Sequence, residues 1–262
     1  MQPPVALTIA GSDNSAGAGA QADLKTFTAF KVYGLTAITC VVAEVPGKVA
    51  AIQPVEPAIV TQQIELSFGA FPIGAVKTGL LHSSAIVEAV CDAMAKCRVP
   101  LVVDPVMIAT SGHRLLDEDA VTLYQRRLFP MAALVTPNLD EAAALLGRPI
   151  PDLEAMRKAG TELVGRYGCP FLLKGGHLKG ERATDLLFDG SSVREFSAPF
   201  VPGVSTHGTG CTYSAAITAG LAGGLALPEA VEAAKQYLSR AVQKFFRWPR
   251  GDERTDALNH FA

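Results

Sequence analysis

The chain has 262 residues, 49% of them hydrophobic and 18% charged, with a net charge of −2. Such a composition supplies a large core and excludes a disordered chain; the lack of a basic stripe argues against a nucleic-acid binder, and no run of about 18 apolar residues marks a membrane span. The five cysteines, at 40, 91, 97, 169 and 211, show no CxxC spacing and read as reduced thiols, without a disulfide frame or zinc site.

Met1-Gln2-Pro3-Pro4 carries neither the basic start nor the apolar core of a signal peptide, so a cytoplasmic location is expected. Val5 to Ala10 is a short apolar run, read as a buried strand. It ends in Gly11-Ser12-Asp13 and a small-residue loop, Asn14 to Gly19, before a helical pattern from Ala20 to about Tyr33 with Leu24, Phe27 and Phe30 on one face. Gly17-Ala18-Gly19 lacks the third glycine of a dinucleotide fingerprint, and no clear ribose-binding acid follows the second strand, so an NAD-dependent enzyme is set aside. Asp23 lies early in this helix, where the dipole favours a solvated acid.

Leu35 to Ala43 is a second β-rich run, stopped by the turn signal Glu44-Val45-Pro46-Gly47. A helix is predicted from Pro57 to Phe68, a strand from Ile73 to Val76 followed by Lys77-Thr78-Gly79, and a helix from Ser83 to Lys96 capped by Ser83 or Ser84. Leu101-Val102-Val103 is a strand ending in Asp104-Pro105, a fixed turn that aims the carboxylate over the sheet edge. Asp117 to Leu128 is helical, and Ala133-Leu134-Val135 is a strand leading to Thr136-Pro137-Asn138. Asn138 and Glu141 have capping-box spacing, which by itself accounts for Glu141. A helix over Leu153 to Tyr167 precedes the strand Phe171-Leu172-Leu173, which runs into Lys174-Gly175-Gly176-His177. Asp189-Gly190 between two β-rich runs signals a hairpin, and helices are predicted over Thr209 to Gly223 and Pro228 to Phe246.

Short apolar strands alternating with helices predict a three-layer α/β/α sandwich. Its sheet is mostly parallel, with helices on both faces and a late antiparallel hairpin. The reading is one domain over 1–262, with a charged, peripheral tail from 247 to 262.

Thr206-His207-Gly208-Thr209-Gly210-Cys211-Thr212 reads as a glycine turn opening a helix, where unpaired N–H groups and the dipole suit a phosphate. The competing reading is a simple turn with a buried cysteine. Glu44, Lys77, Asp104, Asn138 with Glu141, and Lys174 all fall at predicted strand C-terminal ends, the ligand edge of an open α/β sheet. Together they supply a phosphate cradle, a lysine for phosphate charge, and two acids suited to Mg²⁺. That inventory matches phosphoryl transfer without a Walker A loop.

The runs Ala6–Asp13, Gly17–Thr26, Val103–Met107, Thr136–Ala142, Leu173–His177 and Thr206–Thr212 resemble, in order, those of hydroxymethylpyrimidine/phosphomethylpyrimidine kinases of thiamine biosynthesis. These belong to the ribokinase superfamily, and the likeness runs from about residue 5 to 245. It implies a ribokinase-like fold and two MgATP-dependent steps. The hydroxymethyl of 4-amino-5-hydroxymethyl-2-methylpyrimidine is phosphorylated first, and the monophosphate is then converted to the diphosphate. It also implies that Gly208, Thr209, Gly210 and Cys211 form the anion hole for the transferring phosphoryl. Lys174 would contact ATP phosphates, with Thr209 beside it, and Asp104 and Glu141 would organise Mg²⁺. Gly11, Asp23 and Glu44 would face the pyrimidine. A homodimer with small-molecule partners only, no nucleic acid and no membrane, is the family expectation.

Many sugar kinases of this superfamily carry Asp as general base where Cys211 stands. A thiol, with a reference pKa of about 8.5 that a helix N-terminus lowers, is a poorer standing base. A phosphate monoester is already anionic, so we hypothesise that the thiol suffices for the second step and is a compromise for the first.

The chain departs from the family at Glu44-Val45-Pro46, where Gln-Asn-Thr is usual. It also departs at His113, at Ser205 and in the tail around Pro249–Arg254. A carboxylate only accepts hydrogen bonds, so Glu44 favours a protonated ring nitrogen, is itself protonated, or selects another ring. The alternatives are a pyridoxal/pyridoxine kinase of the same superfamily and a non-catalytic pyrimidine-binding protein. The latter predicts loss of Lys174, Asp104, Glu141 or the glycine turn, and all are present. Gly11–Gly19 and Ile108–Arg114 are the candidate lids.

Overall fold

Leu101–Val103, Leu134–Val135 and Phe171–Lys174 are short runs with almost no polar residues, and their place in the sheet explains why: each is covered on both faces. The computed structural model describes residues 2–107, 118–176, 178, 180–204, 207–250 and 253–262. Its first half contains β1 (Val5–Asp13), α1 (Gly19–Ala29), β2 (Tyr33–Val45), β3 (Lys48–Pro54), α2 (Pro57–Ala70), β4 (Ile73–Thr78), α3 (Ser84–Met94) and β5 (Leu101–Val103). There follow α4 (Glu118–Leu123), a π turn (Tyr124–Leu128), β6 (Leu134–Val135), α5 (Leu139–Leu146), α6 (Leu153–Tyr167) and β7 (Phe171–Lys174). The rest comprises β8 (Arg182–Phe188), β9 (Val193–Pro199), α7 (Thr209–Ala222), α8 (Leu227–Gln243), β10 (Phe246–Arg250) and β11 (Glu253–Ala257).

The nine-stranded sheet has the order β3-β2-β1-β4-β5-β6-β7-β8-β9. From β2 across to β7 every neighbour is parallel; β3 at one edge and β8–β9 at the other are antiparallel. Side chains alternate between the faces. Leu101, Val103, Val135, Phe171 and Leu173 join a core built with α2, α3, α5 and α6. Val102, Leu134 and Leu172 join a second core with α7 and α8, and Ala6 a third with α1 and α7. Helix α7 is rich in Ala and Gly because it is squeezed: a Cβ on Gly220 would lie 2.9 Å from Ala230 Cβ in α8, and one on Gly74 of β4 would lie 3.0 Å from the Ala222 carbonyl.

Several boundaries differ from the sequence reading for local reasons. Helix α1 stops at Ala29, not near Tyr33: Lys31 takes a positive φ of 59°, Val32 N–H returns to the Phe27 carbonyl, and Tyr33 begins β2 opposite Val5. Strand β2 continues through Glu44 to Val45. Gly47, at φ 83°, then turns the chain into β3, an antiparallel strand where the sequence predicted no element. The segment 247–262, expected to be peripheral, forms the β10–β11 hairpin and then returns to the core. Leu258 and His260 are buried, His260 Nε2 lies 3.1 Å from Thr212 Oγ1, and Tyr237 donates to the His260 carbonyl at 3.0 Å. Among the described residues no helix is long and apolar enough to cross a membrane.

Candidate active site

Parallel strands deliver their C-terminal ends to one edge, and the order reverses about β1, with β2 on one side and β4 on the other. Ligands gather at such a switch point. A cavity of about 570 Å³ runs along this edge, from Val42 and Glu44 of β2, past Gly11, Lys77, Asp104 and Lys174, to Asp185 of β8 and Lys235 of α8.

The first turn of α7 forms the cavity wall at its centre. Its N-cap, Gly208, has φ 81°, and a Cβ there would fall 1.8 Å from the Gly17 carbonyl oxygen, so only glycine fits. The opening turn supplies N–H groups without partners inside the helix and the positive end of its dipole. Gly208, Thr209, Gly210 and Cys211 all line the cavity. A Cβ on Gly210 would sit 3.1 Å from Lys174 Nζ and 3.6 Å from Asp104 Oδ2, so glycine lets this pair close against the helix.

Lys174 ends β7 and Asp104 follows β5; their side chains meet at 3.0 Å. Asp104 also accepts from Thr136 at 3.3 Å and from Ser214, one turn into α7, at 3.1 Å. Burial alone would raise the Asp104 carboxyl, but Lys174, Lys77 and the Ser214 hydroxyl hold it below the usual carboxylate range. Burial would likewise lower the Lys174 ammonium, and Asp104 and Glu141 outweigh it, so it is held above the usual lysine value. Glu141 closes the expected capping box with Asn138: Asn138 N–H donates to Glu141 Oε2 at 2.8 Å, and Glu141 N–H to Asn138 Oδ1 at 2.9 Å. It lines the cavity as well, so the cap and the site share one residue. Burial, reinforced by Asp104 and opposed by Lys174, pushes its carboxyl up to about 7.

Two expectations need correction. Burial, the largest influence, pushes the Cys211 thiol up to about 11 against the opposing charge of Lys77, so the helix N-terminus does not make it acidic. Asp23 is neither solvated nor on the cavity wall. It is fully buried, accepting from Lys77 Nζ at 2.7 and 2.8 Å and from Thr8 at 2.6 Å. Gly11 and Glu44 do line the cavity, and the Glu44 carboxyl is raised by burial and by Asp13. The expectations at Ile108–Arg114, His113, His177, Ser205 and Thr206 lie outside the described residues.

The structure adds residues that the sequence reading left out. Asp13 accepts from the Ser15 and Ala18 N–H groups at 2.7 and 2.8 Å and lies 3.1 Å from His207 Nε2. Its carboxyl falls to about 2, because the hydrogen bonds from His207 and the loop outweigh burial. The β1–α1 loop, a candidate lid, is thereby tied to the base of α7, and Asn14 ties it to β2 through the Glu44 N–H at 2.7 Å. At the far end Lys235 Nζ pairs with Asp185 at 2.6 Å. Only a lysine inside the apolar stripe of α8 and an acid in a buried strand hinted at that pair. Asp104 and Glu141 offer two carboxylates beside a phosphate-type cradle, a donor set suited to Mg²⁺ completed by water and phosphate oxygens. Among the described residues no cluster of three or more His, Cys, Asp or Glu side chains forms a self-sufficient metal site.

A family model described as phosphomethylpyrimidine kinase matches residues 13–256. The chain is 45% identical over 258 residues to a hydroxymethylpyrimidine/phosphomethylpyrimidine kinase of Rhizobium meliloti (strain 1021), covering 98% of this chain and 97% of that one. It is 43% identical over 238 residues to the thiamine biosynthesis bifunctional protein ThiED of Geobacter sulfurreducens, covering 90% of this chain and 49% of that protein. Among solved structures, the pyridoxal kinase from Staphylococcus aureus in complex with AMP-PCP and pyridoxal matches with a TM-score of 0.89 at 33% identity, over 100% of this chain and 95% of that one.

Proposed function

The chain belongs to the phosphomethylpyrimidine kinase family, and from that premise we propose how its residues divide the work. It is a ribokinase-like phosphotransferase that uses ATP. It phosphorylates the hydroxymethylpyrimidine of thiamine biosynthesis and then its monophosphate. One observation carries the assignment of roles: the Lys174–Asp104 pair closes against Gly210, so a lysine ammonium and the α7 N-terminus face the same space. In our reading the N–H groups from Gly208 to Cys211 bind the transferring phosphoryl, and Lys174 with Thr209 binds the ATP phosphates. Charge spreads over the phosphoryl oxygens as the bond to the leaving phosphate loosens, and fixed dipoles and ammonium groups stabilise it there without reorganising. With its thiol pushed to about 11, Cys211 keeps its proton at neutral pH and serves as a wall of the anion hole, not as a base.

Asp104 and Glu141 would hold Mg²⁺, which when bound neutralises phosphate charge. The raised carboxyl of Glu141 supports this, because a buried acid beside another acid accepts its negative charge most readily when a cation arrives. Gly11 and Glu44 would contact the pyrimidine, while Asp23 acts from behind the wall. The opposite end, between Phe200, Leu238 and Val242, offers an apolar slot suited to the nucleotide base. We further propose one kinase unit over 1–262, a cytoplasmic location and a homodimer. The exposed apolar side chains of Tyr33, Val41 and Val45 on β2 support the dimer.

Product analysis with MgATP and 4-amino-5-hydroxymethyl-2-methylpyrimidine tests the reading: diphosphate is the expected product, monophosphate alone restricts it, and no product overturns it. The carboxylate at Glu44 and the likeness to a pyridoxal kinase justify one parallel arm. In an ADP-release assay with each alcohol, only the pyrimidine supports a second turnover on its own monophosphate.

A further inference from the structure

Lysine is almost never fully buried unless paired, yet Lys77 has no exposed surface at all. It lies near the C-terminal end of β4, at the switch point of the sheet. Both Asp23 oxygens accept from its ammonium, at 2.7 and 2.8 Å, and Thr8 in turn holds Asp23 at 2.6 Å. Lys77 nonetheless lines the cavity, together with Gly79, Gly210 and Cys211. A Cβ on Gly79 would sit 3.3 Å from Lys77 Nζ, so any side chain at that position would press on the ammonium. Burial would depress the ammonium, but the carboxylates of Asp23 and Asp104 outweigh it and keep it charged.

The arrangement repeats that of Lys174. Each lysine comes from a strand end, each is anchored by a buried aspartate, and each has its ammonium against a glycine whose missing Cβ would crowd it. They differ in position along the edge. Lys174 stands on β7, toward β8 and α8. Lys77 stands on β4, beside β1 and toward the β2 end of the sheet that carries Glu44. If Lys174 serves the phosphates of ATP, Lys77 serves the other reactant.

We propose that Lys77 binds the phosphate of the second acceptor, the pyrimidine monophosphate, and so makes this one cavity competent for two successive phosphorylations. The first acceptor offers a neutral hydroxyl there and gains little from a cation. The second offers a dianion, which an anchored ammonium receives with charge-assisted hydrogen bonds. Asp23 is the positioning residue that fixes the ammonium. This inference rests on the kinase reading above.

The test compares Lys77→Met/Asp23→Asn, which removes both charges together and strands neither, with Gly79→Ala, whose new methyl would press on the ammonium without altering any charge. Steady-state KM for the monophosphate and for the alcohol is measured with MgATP, and calorimetry follows binding of each acceptor. The expected result is a rise of about ten- to a hundred-fold in the ratio of the monophosphate KM to the alcohol KM in both variants. Lys77→Arg should restore part of the wild-type ratio. Folded variants that keep the wild-type ratio, or that lose both acceptors equally, overturn the proposal. A wild-type protein that binds and phosphorylates neither acceptor overturns the kinase reading itself.

Discussion

Gly210→Ala separates stability from activity. The position is helical with an ordinary backbone angle, so alanine fits the backbone and brings a propensity gain of up to about 1 kcal/mol. For a chain of this size that corresponds to a melting temperature unchanged or raised by about 2–4 °C. The new methyl would lie 3.1 Å from Lys174 Nζ and 3.6 Å from Asp104 Oδ2, and Lys174 is held by Asp104 at 3.0 Å. The pair has to retreat together. Relieving the contact takes a few tenths of an ångström; since a 1 Å misplacement of a positioning group costs about a hundred-fold, that shift costs about ten-fold in rate, or about 1.4 kcal/mol of barrier. The expected outcome is a protein at least as stable as wild type with kcat reduced about ten-fold. Differential scanning fluorimetry and a coupled ADP-release assay under saturating ATP and pyrimidine read the two effects. Activity within about three-fold of wild type would refute the claim that Gly210 holds the Lys174–Asp104 pair in register.

Cys211→Ala should slow each phosphorylation by less than about a hundred-fold, short of the loss expected for a general base, because a thiol pushed to about 11 holds its proton at neutral pH; separate initial rates for the two acceptors check this. His260 supplies a pH dependence. Burial, with Lys25 adding to it, depresses its imidazole from 6.5 to about 4, so the fold favours the neutral ring. Its contribution is full above pH 6.5 and is lost as pH falls through that value toward 4, to at most about 3 kcal/mol. Denaturant titrations between pH 7 and pH 4 should show that decline, and His260→Gln should flatten it. Gly208→Ala, with a Cβ driven to 1.8 Å from the Gly17 carbonyl at a positive φ, should lower the melting temperature and abolish activity together, read by the same two assays.

Where the chain is punctuated strongly, sequence and structure coincide. The helix over Leu153–Tyr167 matches residue for residue, with Asp152 as N-cap and Gly168 in the left-handed region after its end. The capping box at Asn138–Glu141 is present as spaced. Most of the cavity's polar groups were legible too, because a parallel sheet sends every strand end to one edge. What was not legible depends on contacts between distant segments. Asp23 has the spacing of a surface acid, and only its meeting with Lys77, 54 positions away, buries it. The acidity of Cys211 was misjudged because a helix dipole can be read from sequence, whereas the depth of the wall around a thiol cannot. Strand β3 was missed because Lys48–Pro54 shows no apolar alternation, and it pairs at an exposed edge where none is needed.

The contact between His260 and Thr212 also bears on the order in which the molecule assembles. The residue that steadies the opening turn of α7 from behind is made 48 positions after it. During synthesis the phosphate cradle can close from its front, through Asp13 and His207, well before its rear support exists. A nascent chain halted after α8 would carry every group of the cavity on a helix still missing that brace. Competence to bind phosphate should therefore arrive as one late step rather than grow with chain length, and stalled chains of increasing length would reveal the point at which it does.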